Sequence, residues 1–146
     1  NMSIREDIAA NLLSVISNIS SPAIKKATRQ PFLLDELSMQ QYPAVIVQTS
    51  EENREDSELG SGAKTRHGTI DFVILGFVKG AEDNIDTARN ALITAIESAI
   101  EADITRNGKA LDSEVVQVET DEGSLFPVGG IKMTIRCMYE YQSGTP

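Results

Sequence analysis

The chain has no tryptophan, one histidine, one cysteine and few aromatic residues of any kind. Each scarcity removes a class of function. A two-histidine metal centre cannot be assembled from His67 alone, and a thiolate paired with a base would have to come from Cys137 and His67, the sole candidates. One cysteine cannot form an internal disulfide, which fits a reducing compartment. Without a basic stripe interleaved with Phe or Tyr there is no platform on which nucleic-acid bases could stack. No apolar run approaches the ~20 residues a membrane helix requires, and no basic segment followed by an apolar one opens the chain. These features predict a soluble, intracellular protein. Asn1 ahead of Met2 reads as an added residue, with Met2 the expected start.

Acid is what the chain has in excess. Its 146 residues carry 13 basic and 22 acidic side chains, a formal net charge of −9, which opposes both non-specific phosphate binding and docking on anionic lipid. The imbalance is concentrated late: residues 110–146 hold six acids against Lys132 and Arg136, whereas residues 1–50 are balanced. The length is that of one domain with one core.

Helical periodicity marks two segments. Ser3 with Glu6 three residues on forms a capping box, and Ile8, Leu12, Val15, Ile16 and Ile19 follow at helical spacing, predicting a helix from about Ile4 to Ile19. Asp83 with Asp86 caps a second, whose stripe of Ile85, Ala88, Leu92, Ala95, Ile96 and Ala99 runs toward a stop near Asn107-Gly108. Between the first helix and Tyr42-Pro43 the chain reads as an irregular connection whose Phe32, Leu33, Leu34 and Leu37 plug a sheet edge.

Four strands are predicted: Ala44–Thr49, Arg66–Lys79, Val115–Val118 and Ile131–Tyr141. In the second, Ile70, Phe72, Ile74 and Val78 share one face while Val73, Leu75 and Phe77 line the other, so both faces require cover. The segment "EENREDSELGSGAKTRHG" has almost no apolar content and reads as a mobile loop over about 51–67. The order α-β-β-α-β-β, two helices on a mostly antiparallel four-stranded sheet, places the chain in the α+β class as a single domain, 1–146.

Candidate chemical motifs fail on inspection. A calcium loop with its glycine at Gly123 would begin at Val118, which offers no side-chain oxygen. "GSGAKT", Gly60–Thr65, interrupts the Gly-Lys-Thr of a phosphate loop with Ala63 and follows a charged segment instead of a buried strand. Along the last strand Ile131, Met133, Ile135, Cys137, Tyr139 and Tyr141 share a face, which makes Cys137 a core residue, and His67 lies at the root of the loop as a surface or interface residue. No catalytic, cofactor or metal residues are assigned, and no enzymatic activity is expected.

The pattern as a whole resembles the tail terminator (tail completion) proteins of long-tailed bacteriophages and prophages. The resemblance spans most of the chain: the first helix, the strand "YPAVIV", the charged loop feeding "RHGTIDFVILGFVKG", the helix "NIDTARNALITAIESAIEADI" and the ending "VVQVETDEGSLFPVGGIKMTIRCMYEY". It implies a small α+β subunit of the virion tail, assembled in the host cytoplasm as a hexameric ring on the tail tube. Such a ring stops tube polymerisation and faces the head connector or neck. Partners would be other copies of the chain, the tube protein and the connector; DNA would pass without specific binding, and no membrane or cofactor is involved. Within that expectation Val73, Leu75 and Phe77 form a subunit contact, and Arg54, Lys64 and Arg66 act as an arm. Glu119, Asp121 and Glu122 form a solvent-facing turn at a subunit edge or the lumen. The rival expectation is an oligomeric α+β domain that binds a small ligand, or a small enzyme with a dispersed site, either of which needs an enclosed pocket with convergent polar groups.

Overall fold

The computed structural model describes residues 3–56, 65–79, 84–123 and 125–142. Helix α1 spans Ile4–Ser17, strand β1 Lys26–Thr28, β2 Ala44–Asp56, β3 Thr65–Lys79, helix α2 Ile85–Glu101, β4 Asp112–Thr120 and β5 Val128–Gln142. Two single 3-10 turns, Leu34–Glu36 and Met39–Gln41, lie between β1 and β2. The strands form one sheet in the order β1-β2-β3-β5-β4, in which β1 runs parallel to β2 and every other neighbouring pair is antiparallel. The α+β class and the antiparallel core of the sheet are as expected.

Ser3 caps α1, its hydroxyl accepting from the Glu6 amide at 3.2 Å, while the Glu6 carboxylate, expected to complete a capping box, binds Arg29. Ile8, Leu12 and Ile16 then fall on one face and pack, with Leu92, Ile96 and Ile100 of α2, over the inner face of the sheet. That face is built from Val45 and Val47, from Ile70, Phe72 and Ile74, and from Met133, Ile135 and Cys137, all buried. Each such side chain contributes roughly 1.5–3 kcal/mol relative to exposure, so this layer is the principal source of stability.

Several expectations need correction. The sheet has five strands, not four; β1 is only three residues, Lys26-Ala27-Thr28, too short and too polar to show alternation. The loop expected over about 51–67 is strand at both ends, because β2 continues to Asp56 and β3 starts at Thr65, with Glu52–Asp56 laddered against Arg66–Ile70. Backbone pairing holds this polar ribbon where side-chain burial would not, and hydropathy alone reads it as loop. The remaining stretch 57–64, with Lys64 and most of "GSGAKT", lies outside the described residues, as does Asp83; α2 starts after Asn84, which makes no side-chain cap bond. α1 ends at Ser17, before Ile19, and α2 ends at Glu101, well before Asn107-Gly108. After α2 the chain turns through Arg106, Asn107 and Gly108, all at positive φ.

Among the described residues, both α-helices pack on the inner face and none lies on the outer face of the sheet. Val73, Leu75 and Phe77 of β3 point there and are half-buried; Ala44 and Ile46, the β2 partners of Phe77 and Leu75, are buried, and Gln48, the partner of Val73, is half-buried. Part of the cover comes from the β1–β2 connection, whose Phe32 meets Phe77 edge-on with ring centroids 6.1 Å apart. Of the residues expected to plug the sheet edge, Phe32 instead covers the outer face at the central strand, and Leu33 projects outward, 63% exposed.

Candidate assembly surface

The turn from β4 to β5 is organised by one carboxylate. Asp121 Oδ2 accepts the Leu125 amide at 2.8 Å, and Oδ1 accepts both the Gly130 amide at 3.1 Å and Arg89 Nη1 at 2.6 Å. Arg89 also donates to Asp86 at 3.0 Å. The side chains of Arg89 and Asp121 are 8% and 7% exposed. Burial pushes the Asp121 carboxyl up, but the two amides and the guanidinium together outweigh it and hold its pKa below the usual value. Gly129 permits the approach: a Cβ there would lie 2.9 Å from Arg89 Cγ. Asp121 is thus not part of a solvent-facing turn. Glu119 and Glu122 are exposed as expected; Asp121 is drawn inward because it accepts from the two amides of the reversing chain and, with Asp86, neutralises Arg89.

This latch fixes what the turn displays. Glu122 and Gly123 take positive φ, and beyond them Leu125 and Phe126 stand out from the surface, Phe126 half exposed. Leu125 lines an open, largely apolar groove of about 300 Å³ on the outer face together with Leu75, Phe77, Gly130, Lys132 and Glu119. The groove joins the expected contact residues to the turn, a connection the sequence did not disclose. A second cavity of about 690 Å³, between the end of α1 and the outer side of α2, is lined by Ser20, Ser21, Thr87, Asn90, Thr94 and Ser98 and is likewise open to solvent.

Farther along, the outer face turns polar. Arg136 makes a bidentate pair with Asp71 at 2.9 and 3.1 Å, and His67 meets Glu140 at 2.8 Å. On the inner face at the same end, Glu52 collects three partners: Arg5 at 3.1 Å, the Tyr139 hydroxyl at 2.9 Å, and Arg54. Arg54 also sits 5.0 Å over the Tyr141 ring, and Tyr141 stacks on Tyr139. Burial raises the Glu52 pKa, but Arg54, Tyr139 and Arg5 overcome it and the net shift is downward; Tyr139, buried and donating to Glu52, is pushed up to about 12. The arm formed by Arg54, Lys64 and Arg66 is therefore corrected. Arg54 is committed to Glu52 within β2, and Arg66 lies half-buried in β3 opposite Tyr141.

Cys137 and His67 cannot form a catalytic pair, because they occupy opposite faces of the sheet. Cys137 is fully buried, its thiol 3.4 Å from the Ser113 hydroxyl, and burial pushes its pKa up, away from thiolate. Among the described residues, no three His, Cys, Asp or Glu side chains gather where they could hold a metal.

Two buried arginines escaped the sequence reading. Arg106 is fully buried behind α2, donating to Asn11 Oδ1 at 3.1 Å and to the carbonyls of Ile100 and Asp103, and so ties the end of α2 to α1. Nothing in the pattern around Arg106 marks it. Arg89 did leave a signal: with Ile85, Leu92 and Ile96 it shares the core-facing phase of α2, and a cation at that phase requires an acid to meet it.

No protein-family model matches the chain, and no curated protein matches it. Among solved structures, a chain from the virion of a native gene transfer agent (GTA) particle aligns over 95% of this chain and 92% of its own, at 13% identity and a TM-score of 0.47. A likeness of that degree carries no functional argument, and the reading that follows rests on the surfaces described above.

Proposed function

We propose that this chain is a structural subunit of a phage-type virion: a tail terminator that closes as a ring, a hexamer in the family it resembles, on the end of the tail tube. The ring stops tube growth and presents its far side to the head connector or neck. The observation that carries the reading is the outer face of the sheet. Val73, Leu75 and Phe77 on the central strand, with Leu125 beside the last two and exposed Phe126 on the same turn as Leu125, make an apolar surface that the described elements of the subunit leave partly open. A heterologous contact through such a surface closes into a ring when the rotation between copies permits.

On this reading the subunit acts without catalysis, and its acidity serves passage: DNA moves through a lumen that does not bind it. Leu75→Glu tests the assignment, since it places a charge in the groove while leaving the helix-covered core alone. The expected result is a folded subunit with tails of uncontrolled length; tails of normal length with a folded Leu75→Glu protein would refute the outer face as the working surface.

A further inference from the structure

The two edges of the sheet differ in charge. Residues 23–31, which contain β1, carry Lys25, Lys26 and Arg29 and no acid; β4 carries Asp112, Glu114 and Glu119 and no cation. Among the described residues each of these strands is paired on one side only, β1 with β2 and β4 with β5. Arg29 is already bound by Glu6, and the cations one strand in from β4, Lys132 and Arg136, are matched by Glu119 and Asp71. The contrast that remains is Lys25 and Lys26, the latter also lying 5.5 Å over the Phe32 ring, at one edge against Asp112 and Glu114, with Glu119 shared, at the other.

Strand direction adds a second condition. β1 is parallel to β2, and the successive antiparallel steps to β3, β5 and β4 leave β1 and β4 antiparallel to each other. A second copy in the same orientation would therefore present its β1 to β4 in the antiparallel sense that dominates this sheet. The isologous alternatives are disfavoured: β4 against β4 would set Asp112, Glu114 and Glu119 against themselves, and β1 against β1 would oppose the lysines. The edge also exposes Val116 and Val118, and the bulge between Val115 and Gln117 interrupts the uniform edge that would otherwise invite indiscriminate pairing.

We propose that β4 of one copy pairs with β1 of the next, so that the sheet continues across the subunit boundary and successive copies add head to tail. The inference rests on the ring reading above and adds to the outer face a second contact, at the sheet edges. Two variants test it: Lys25→Glu with Lys26→Glu makes both edges acidic, and Glu114→Lys with Glu119→Lys makes both basic. Each alone should need at least about tenfold more protein for half-assembly, whereas an equimolar mixture, in which every contact again joins opposite charges, should assemble within about threefold of the unmodified protein. Sedimentation velocity reads the assembly, and circular dichroism the fold of each variant.

Either folded variant assembling alone as well as the unmodified chain would overturn the edge contact and leave the ring reading standing. A folded mixture that fails to assemble, or an acidic variant that stops at a dimer through β4, would overturn it equally. The unmodified protein supplies a test that does not depend on how the variants fold. Raising salt from about 50 to about 500 mM should weaken its assembly, and salt-independent assembly would count against charge-matched edges. No assembly of the unmodified chain, with or without tail tubes, would instead remove the ring reading and this contact with it.

Discussion

Arg89 and Asp121 stand 32 positions apart and meet at 2.6 Å, joining the core-facing side of α2 to the turn that displays Leu125 and Phe126. Both side chains are almost wholly buried, so neutralising Asp121 leaves Arg89 with Asp86 alone, and neutralising Arg89 leaves Asp121 with the two amides alone. Asp121→Asn keeps the shape but removes the charge and turns one acceptor into a donor facing an amide or the guanidinium. Urea unfolding should show a loss of about 2–3 kcal/mol, below the full cost of breaking a buried pair because Asn can still accept one bond. A change within about 0.5 kcal/mol would mean the latch is ornamental, the value typical of an exposed substitution.

Gly68 makes a similar claim through packing. A Cβ at this position would lie 2.4 Å from the Tyr139 ring, and Tyr139 cannot swing aside without giving up Glu52. Gly68→Ala should therefore cost about 2 kcal/mol by overpacking. The cost should shrink in a Tyr139→Ala background, since the two residues are in contact and their effects cannot add. Equal penalties in both backgrounds would locate the strain elsewhere.

Acid should unfold the protein through specific carboxylates. Glu52 and Asp121 have folded pKa values below their usual 4.5 and 3.8, and Asp103, bound by the Thr105 hydroxyl and then by the amides of Asn107 and Thr105, is lowered to about 2. For groups depressed in the folded state, the stabilisation is complete above the unfolded values and is lost as pH falls through the folded ones. Thermal midpoints should thus be flat from pH 7 to about 5 and fall from about 4 toward 2, with a shallower fall in Asp121→Asn. A midpoint at pH 3 equal to that at pH 7 would contradict these assignments.

What the sequence disclosed follows from where side-chain burial and backbone pairing agree. Along β5, Ile131 through Tyr141 alternate and are buried in just that phase, so strand, face and the core position of Cys137 were all legible. Along Glu51–Asp56 they disagree: the ladder to β3 extends a strand whose side chains are polar, and only the pairing partner could have shown it. Asp121 illustrates the same limit at a site. Glu119, Asp121 and Glu122 look alike in a string of letters, and what separates them is a guanidinium on α2 and two turning amides, relations that exist only after folding. The second apolar row was readable, because Val73, Leu75 and Phe77 contradict a single buried face; that Leu125 shares a groove with Leu75 and Phe77 was not.

The central claim is that the subunit functions by closing into a ring on a tail tube. The most direct measurement is solution mass by light scattering over a wide concentration range, repeated with purified tail tubes and followed by electron microscopy of the particles. The account predicts a six-subunit ring, either free at high protein concentration or formed on tube ends, and tubes that no longer elongate once capped. A protein that stays strictly monomeric at every concentration, neither binding tube ends nor halting their growth, would contradict it.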